Sequence, residues 1–181
     1  YIGCGNFYTS LLVAVDLNTN ETIYQQSVPS FHHYGWGGGL GRTMFYMVKF
    51  KLSPKGDQFI GGYHGWPGIF DAHTGNLIDS LTFGGWRGAA YSPTGDTLYV
   101  YSNLKDTVMM YRMNTADLSI IDSIWVTAGC WLDLVSQSDL AINHDGSRVL
   151  VNDWYDSRYC LFDFNSGTCQ IIPEDMLITD S

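Results

Sequence analysis

Three short stretches constrain this chain more than anything else in it: SPKGD at Ser53–Asp57, SPTGD at Ser92–Asp96 and NHDGS at Asn143–Ser147. Each carries a turn glycine and runs straight into a β-rich segment, QFIGGY, TLYVYSN or RVLVNDW. About fifteen residues after each glycine a second kind of turn follows, IFDAHTG (Ile69–Gly75), MYRMNTA (Met110–Ala116) or LFDFNSG (Leu161–Gly167). A fourth copy, AVDLNTN (Ala14–Asn20), comes earlier with no first turn in front of it. Behind each second turn lies one more β run: ETIYQQSV, NLIDSLTF, LSIIDSIWV and TCQII.

The repeated unit is therefore strand, Gly turn, strand, loop, strand, Asp-x-x-Thr-Gly turn, strand. Apolar residues alternate along the runs (Leu98 and Val100; Val149 and Val151) with β-branched enrichment, the pattern of half-buried strands. Pro and Gly fall at turn positions that suit their backbone preferences. Nowhere does an apolar stripe repeat every 3.6 residues, so almost no helix is expected. A four-stranded antiparallel unit of about forty residues, repeated in series, is the mark of a β-propeller blade. The expected fold class is all-β. The whole chain, 1–181, is read as one propeller or propeller segment of about four blades. The units fall at approximately 1–28, 44–83, 87–126 and 134–174. The first lacks a strand, and the tail 175–181 (DMLITDS) is a candidate to supply it and close the ring; another polypeptide is the alternative.

At SPTGDTLYV, VDLNTN and IFDAHTG the sequence resembles the bacterial and archaeal surface propellers named for a Tyr-Val-Thr-Asn strand, which here reads Leu98-Tyr99-Val100-Tyr101-Ser102-Asn103. WD-repeat propellers are more distant kin, for no Trp-Asp pair ends a strand in this chain. The resemblance implies the fold and leaves function open, since such propellers act as surface proteins, binding scaffolds and sometimes enzymes.

Charge narrows the field. Nine Lys plus Arg against eighteen Asp plus Glu give a net charge of −9, the wrong sign for displacing counterions from nucleic acid or docking on an anionic membrane. No apolar run is long enough to span a bilayer. The chain opens on Tyr1 inside a β run and reads as a processed or partial chain. Aromatic and charged residues each make up 15%, a balance common in β-rich exported proteins, so a secreted or cell-surface location is expected. The four cysteines form no Cys-x-x-Cys pair. Cys160 and Cys169 flank a turn in a diagonal register that strains a disulfide. The alternative is buried thiols, and Cys4 with Cys130 stays open.

Alternating strands send all the Gly turns to one end of the unit and everything irregular to the other. The second end receives YGWGGGLGR (Tyr34–Arg42), whose glycines miss both the dinucleotide and the ATP-loop spacings. It aligns with FGGWRG and AGCWLD as a connector between blades, lengthened by an insertion. The candidate ligand-binding residues gather there: Tyr34, Trp36, His64, Trp66, Trp86, Arg87, Trp131, Asp153, Trp154 and Tyr155. Function commonly sits on loops held by a rigid scaffold, and aromatic anchors dominate binding surfaces. Trp36, Trp86 and Trp131 recur in register, which favours wedges between blades over binding. Trp66 and Trp154 lie outside that register and point to binding.

No catalytic or metal residues are assigned: there is no Gly-x-Ser-x-Gly elbow, no carboxylate pair placed by a motif, and His32 and His33 alternate to opposite sides of a strand. The expected function is a non-catalytic scaffold that grips a protein partner or another copy of itself, with no cofactor. The alternatives are a carbohydrate-binding propeller, whose Trp and Tyr stack on sugar rings, and a propeller enzyme with a metal or cofactor near the axis.

Overall fold

The computed structural model describes residues 2–5, 9–29, 49–63, 66–81, 86–104, 107–126, 139–153 and 158–172. Every regular element among them is a β-strand. Blade 1 comprises β1 (Ile2–Gly5), β2 (Thr9–Val15) and β3 (Thr22–Pro29). Blade 2 comprises β4 (Lys49–Leu52), β5 (Gln58–Tyr63), β6 (Trp66–Asp71) and β7 (Leu77–Ser80). Blade 3 follows with β8 (Trp86–Tyr91), β9 (Thr97–Leu104), β10 (Thr107–Asn114) and β11 (Ile120–Trp125). Blade 4 closes the series with β12 (Asp139–Ile142), β13 (Arg148–Asp153), β14 (Arg158–Asp163) and β15 (Thr168–Ile172). Among the described residues each blade is a separate antiparallel sheet in simple up-and-down order, with three strands in blade 1 and four in each of the others. The expectation of an all-β chain of about four blades holds, and among the described residues the first blade has three strands. The tail proposed to pair with β1 lies outside the described residues.

The turns explain why the sheets form where they do. In the first turn of blade 2, Ser53 N donates to Gln58 O at 2.8 Å and Gly56 N to Ser53 O at 2.8 Å. Blades 3 and 4 repeat both bonds around Gly95 and Gly146. All three glycines sit at positive φ, 73°, 74° and 71°, a region that a Cβ disfavours. The second turns share another geometry. Asp71 N donates to Asn76 O and Gly75 N to Asp71 O, while Asp71 Oδ1 accepts from the backbone of His73 and Thr74. Asn114 N to Ser119 O and Leu118 N to Asn114 O are the same bonds in blade 3. This corrects the sequence alignment. The blade 3 turn is Asn114–Leu118, two residues later than the MYRMNTA match placed it, because Leu118 takes the left-handed position that Gly75 and Gly167 fill elsewhere (φ 57° against 72° and 66°).

Neighbouring blades pack face to face and share cores. Strand β9 shows how one sequence serves two of them. Leu98 and Val100, with Met113 of the same blade, point back to blade 2, where they meet Ile60, Ile69 and Leu81. Tyr99 and Tyr101 point forward and meet Val149, Val151, Cys160 and Phe162 of blade 4. All four β9 residues are at most 1% exposed. Burial on both faces removes the polar alternation of a half-exposed strand, so Leu98 to Tyr101 read as an unbroken run of large side chains. Blade 1 joins blade 2 through Tyr24, which packs against the Phe59–Ala72 cluster alongside Phe50 and Phe70. Phe59 is stacked on Phe70 at 5.1 Å between centroids and meets Phe50 edge-on at 5.6 Å. Burying a side chain of this size contributes roughly 1.5–3 kcal/mol.

Polar bonds tie the blades at the turn end. Tyr99 Oη donates to Gly146 O at 2.5 Å, from blade 3 into the blade 4 turn. Arg112 lies over the Phe164 ring at 4.8 Å. Cys160 and Cys169 are thiols, and the register pairs Cys160 with Ile171 and Cys169 with Phe162, the diagonal arrangement expected from the sequence.

Candidate functional site

The two ends of the blades differ in chemistry. At the turn end, side-chain oxygens are consumed by the turns themselves. Asp71 Oδ1 accepts from Thr74 Oγ1 at 3.0 Å as well as from two backbone amides, and Thr74 holds its carboxyl below the usual carboxylate range. Asp145 Oδ1 accepts from Ser147 Oγ at 2.7 Å and from Ser147 N at 2.9 Å, with the same downward effect on its pKa. Asp163 is lowered chiefly by Arg148, whose Nε donates to Oδ2 at 2.9 Å. Lys55 and Asp96 bridge the turns of blades 2 and 3; their bond raises the lysine pKa and lowers that of the aspartate. This end is short, regular and internally satisfied.

The opposite end carries four of the candidate residues at strand termini. Trp66 opens β6 and pairs with Tyr63 across the hairpin of blade 2. Asp153 ends β13 and pairs with Arg158 at the matching hairpin of blade 4. Trp86 opens β8 opposite Ser102. The register then shifts between Trp86 and Gly88, which leaves Arg87 as the extra residue of a bulge. Bulges re-aim side chains and are common beside functional sites. Three consecutive blades thus bring Trp66, Trp86, Arg87 and Asp153 to one end of the sheets. Tyr34, Trp36, His64, Trp131, Trp154 and Tyr155 lie outside the described residues.

One aromatic residue was not among the candidates. Trp125, at the end of the outermost strand of blade 3, is 65% exposed. The outer strands of blades 2 and 3 also leave Leu77, Ile78, Ile120 and Ile121 exposed. The signal was available: blade 2 ends the matching segment at Leu81 and has no aromatic one residue beyond it. Among the described residues, no group of three His, Cys, Asp or Glu side chains gathers to hold a metal ion.

No family model matches the chain, and no curated protein matches it. Solved structures do. Hydrazine synthase from Kuenenia stuttgartiensis superposes with a TM-score of 0.59 at 15% identity, covering 92% of this chain and 44% of that one. The Dos1 propeller gives 0.59 at 13% identity over 92% of this chain and 42% of its own. The WD40 domain of coronin from Toxoplasma gondii gives 0.60 at 13% identity over 90% and 40% respectively. At such identities the likeness speaks for the fold, which is a β-propeller of the WD40-like kind. The chain spans less than half the length of these structures.

Proposed function

We propose that this propeller is a non-catalytic scaffold that binds a protein partner through the blade end bearing Trp66, Trp86, Arg87 and Asp153. The observation that carries the reading is the asymmetry between the ends. One is closed by self-satisfied Gly and Asx turns; the other concentrates aromatic and charged residues at the strand termini of three successive blades, with Arg87 on a bulge. Aromatic and arginine side chains are the residues that dominate protein interfaces, and truncating such an anchor commonly costs ~2 kcal/mol or more. That corresponds to about a thirtyfold loss of affinity. WD40-type neighbours support a scaffold in general terms.

The test is a protein-array screen with the purified chain, followed by titration of the binders with substituted chains. Trp66→Ala and Trp154→Ala are expected to weaken binding at least tenfold while the far-ultraviolet circular dichroism spectrum stays unchanged. Lys55→Ala and Thr94→Ala, at the other end, are expected to leave affinity intact. Binders whose affinity depends on Lys55 and Thr94 and ignores both tryptophans would place the interface on the wrong end.

A further inference from the structure

The strands β3, β7, β11 and β15 each end their sheet, so one edge of each has no neighbouring strand in its own blade. Unpaired amides and carbonyls on such an edge are a template for strand addition, and exposed apolar side chains beside them raise the hazard. Blades 2 and 3 carry that hazard openly. Leu77 and Ile78 on β7 and Ile120 and Ile121 on β11 are all more than half exposed.

Three of these four outer strands are interrupted at one equivalent place. In blade 2, Asp79 pairs with Ile69 and Leu77 with Phe70, which leaves Ile78 opposite nothing. In blade 3, Asp122 pairs with Arg112 and Ile120 with Met113, and Ile121 is the extra residue. In blade 1, Tyr24 pairs with Ala14 and Thr22 with Val15, and the extra residue is Ile23. An exposed isoleucine therefore sits on a bulge in each. A bulge bends its strand and breaks the even spacing that an added strand has to match. Blade 4 differs: β15 runs through five successive pairs with no shift.

Blades 2 and 3 add a second feature directly after the bulge. Leu81 N donates inward to Pro67 O and Val126 N to Val108 O, so alternation turns the amides of Ser80 and Ser123 toward the open edge. Each is taken by the preceding aspartate. Ser80 N donates to Asp79 Oδ1 at 2.7 Å, and Ser123 N to Asp122 Oδ1 at 2.7 Å. The element reads Ile-Asp-Ser in both blades, Ile78–Ser80 and Ile121–Ser123. Blade 4 has Gln170 and Ile171 at the positions of the aspartate and the serine.

We infer that the Ile-Asp-Ser element closes the outer edges of blades 2 and 3 to strand addition by a second polypeptide. The bulge spoils the spacing, the carboxylate occupies the outward amide, and its charge would have to be buried under any strand that paired there. The inference is independent of which end of the blades binds a partner.

Two measurements on the purified chain test it. Amide hydrogen exchange followed by nuclear magnetic resonance reads the bond: Asp79→Ala should speed exchange at Ser80 about tenfold and leave Ser123 unchanged. Infrared spectroscopy and light scattering of concentrated protein, held below its melting transition, read the consequence. With its strand spectrum intact, Asp79→Ala should associate about fivefold faster than wild type and gain an intermolecular sheet band. Deleting Ile78 as well removes the bulge and should speed association further. If that deletion does not fold, Asp122→Ala repeats the single test in blade 3. Glu21→Ala loses the same single charge from an exposed turn and should behave as wild type. Unchanged exchange at Ser80, association of Asp79→Ala no faster than wild type, or equal acceleration by Glu21→Ala would each overturn the inference.

Discussion

Adding a methyl group at Gly146 is expected to destabilise the chain far more than the same change at the equivalent turn positions of blades 2 and 3. All three glycines share a positive φ near 70°, so alanine at any of them incurs the left-handed penalty of roughly 1–2 kcal/mol. What differs is the space. A Cβ at Gly56 meets nothing within 4 Å, and one at Gly95 meets Lys55 Cγ and Ser53 Oγ at 3.1 Å, side chains that are able to shift. At Gly146 it falls 2.6 Å from Tyr99 Oη, which is buried and donates to the carbonyl of Gly146 itself. Relief of that overlap breaks the bond and strands a buried hydroxyl, adding about 1–3 kcal/mol. The expected order is Gly56→Ala, then Gly95→Ala, then Gly146→Ala, the last losing roughly 2–5 kcal/mol in total. Urea denaturation followed by near-ultraviolet dichroism measures the series, and Tyr99→Phe completes a double-mutant cycle. Without the hydroxyl, the penalty at Gly146 should fall to the backbone term alone. Equal losses at Gly56 and Gly146, or a cycle with no coupling, would refute the claim that blade 3 is clamped to the blade 4 turn through Tyr99.

Other expectations follow from the same turns. Leu118→Gly relieves the left-handed strain but gives up a half-buried contact with the core between blades 2 and 3, so its net effect should lie within about 1 kcal/mol of zero. Leu118→Val keeps an apolar side chain yet adds β-branching at positive φ and should be clearly destabilising; chemical denaturation of both variants decides, and a harmless valine would contradict the strain. The carboxyls of Asp71, Asp145 and Asp163 are held below the usual carboxylate range, so the folded state binds fewer protons than the unfolded one in acid. Their contribution is complete above the unfolded pKa and is lost as pH falls through the folded one. Combined substitution of the three by asparagine should flatten the fall in melting temperature below about pH 4 at constant ionic strength, and an equally steep acid limb would argue against it.

The fold was legible because its signals are local. A turn glycine at positive φ, an aspartate that accepts from the amides two and three residues on and two-residue alternation all act within a few positions, and three first turns announced themselves this way. The one misplacement has the same origin. Leu118 stands where its equivalents are Gly75 and Gly167, so the cue for the left-handed residue was absent and the match drifted two residues toward Thr115. The candidate site was legible only as a location. Strand alternation assigns Trp66, Trp86, Arg87 and Asp153 to one end, but the bulge at Arg87 depends on how β8 meets β9 and leaves no mark in the sequence. Trp125 was legible only as a strand residue, and its 65% exposure at the end of the outermost strand of blade 3 emerges with the sheet.

Since every core is shared between two blades, protein synthesis imposes a waiting time on each. Ile60, Ile69 and Leu81 leave the ribosome before Met113, the last buried residue of blade 3 to cover them, and 113 − 81 leaves 32 residues still to be made. At typical elongation rates that interval is roughly 2–6 s. During it the nascent chain displays a fully apolar sheet face that nothing yet covers. The next blade inherits the same debt until Phe164 emerges. Substitutions that slow the pairing of β9 with β10 should therefore lower the soluble yield in cells more than they lower the melting temperature of whatever protein survives.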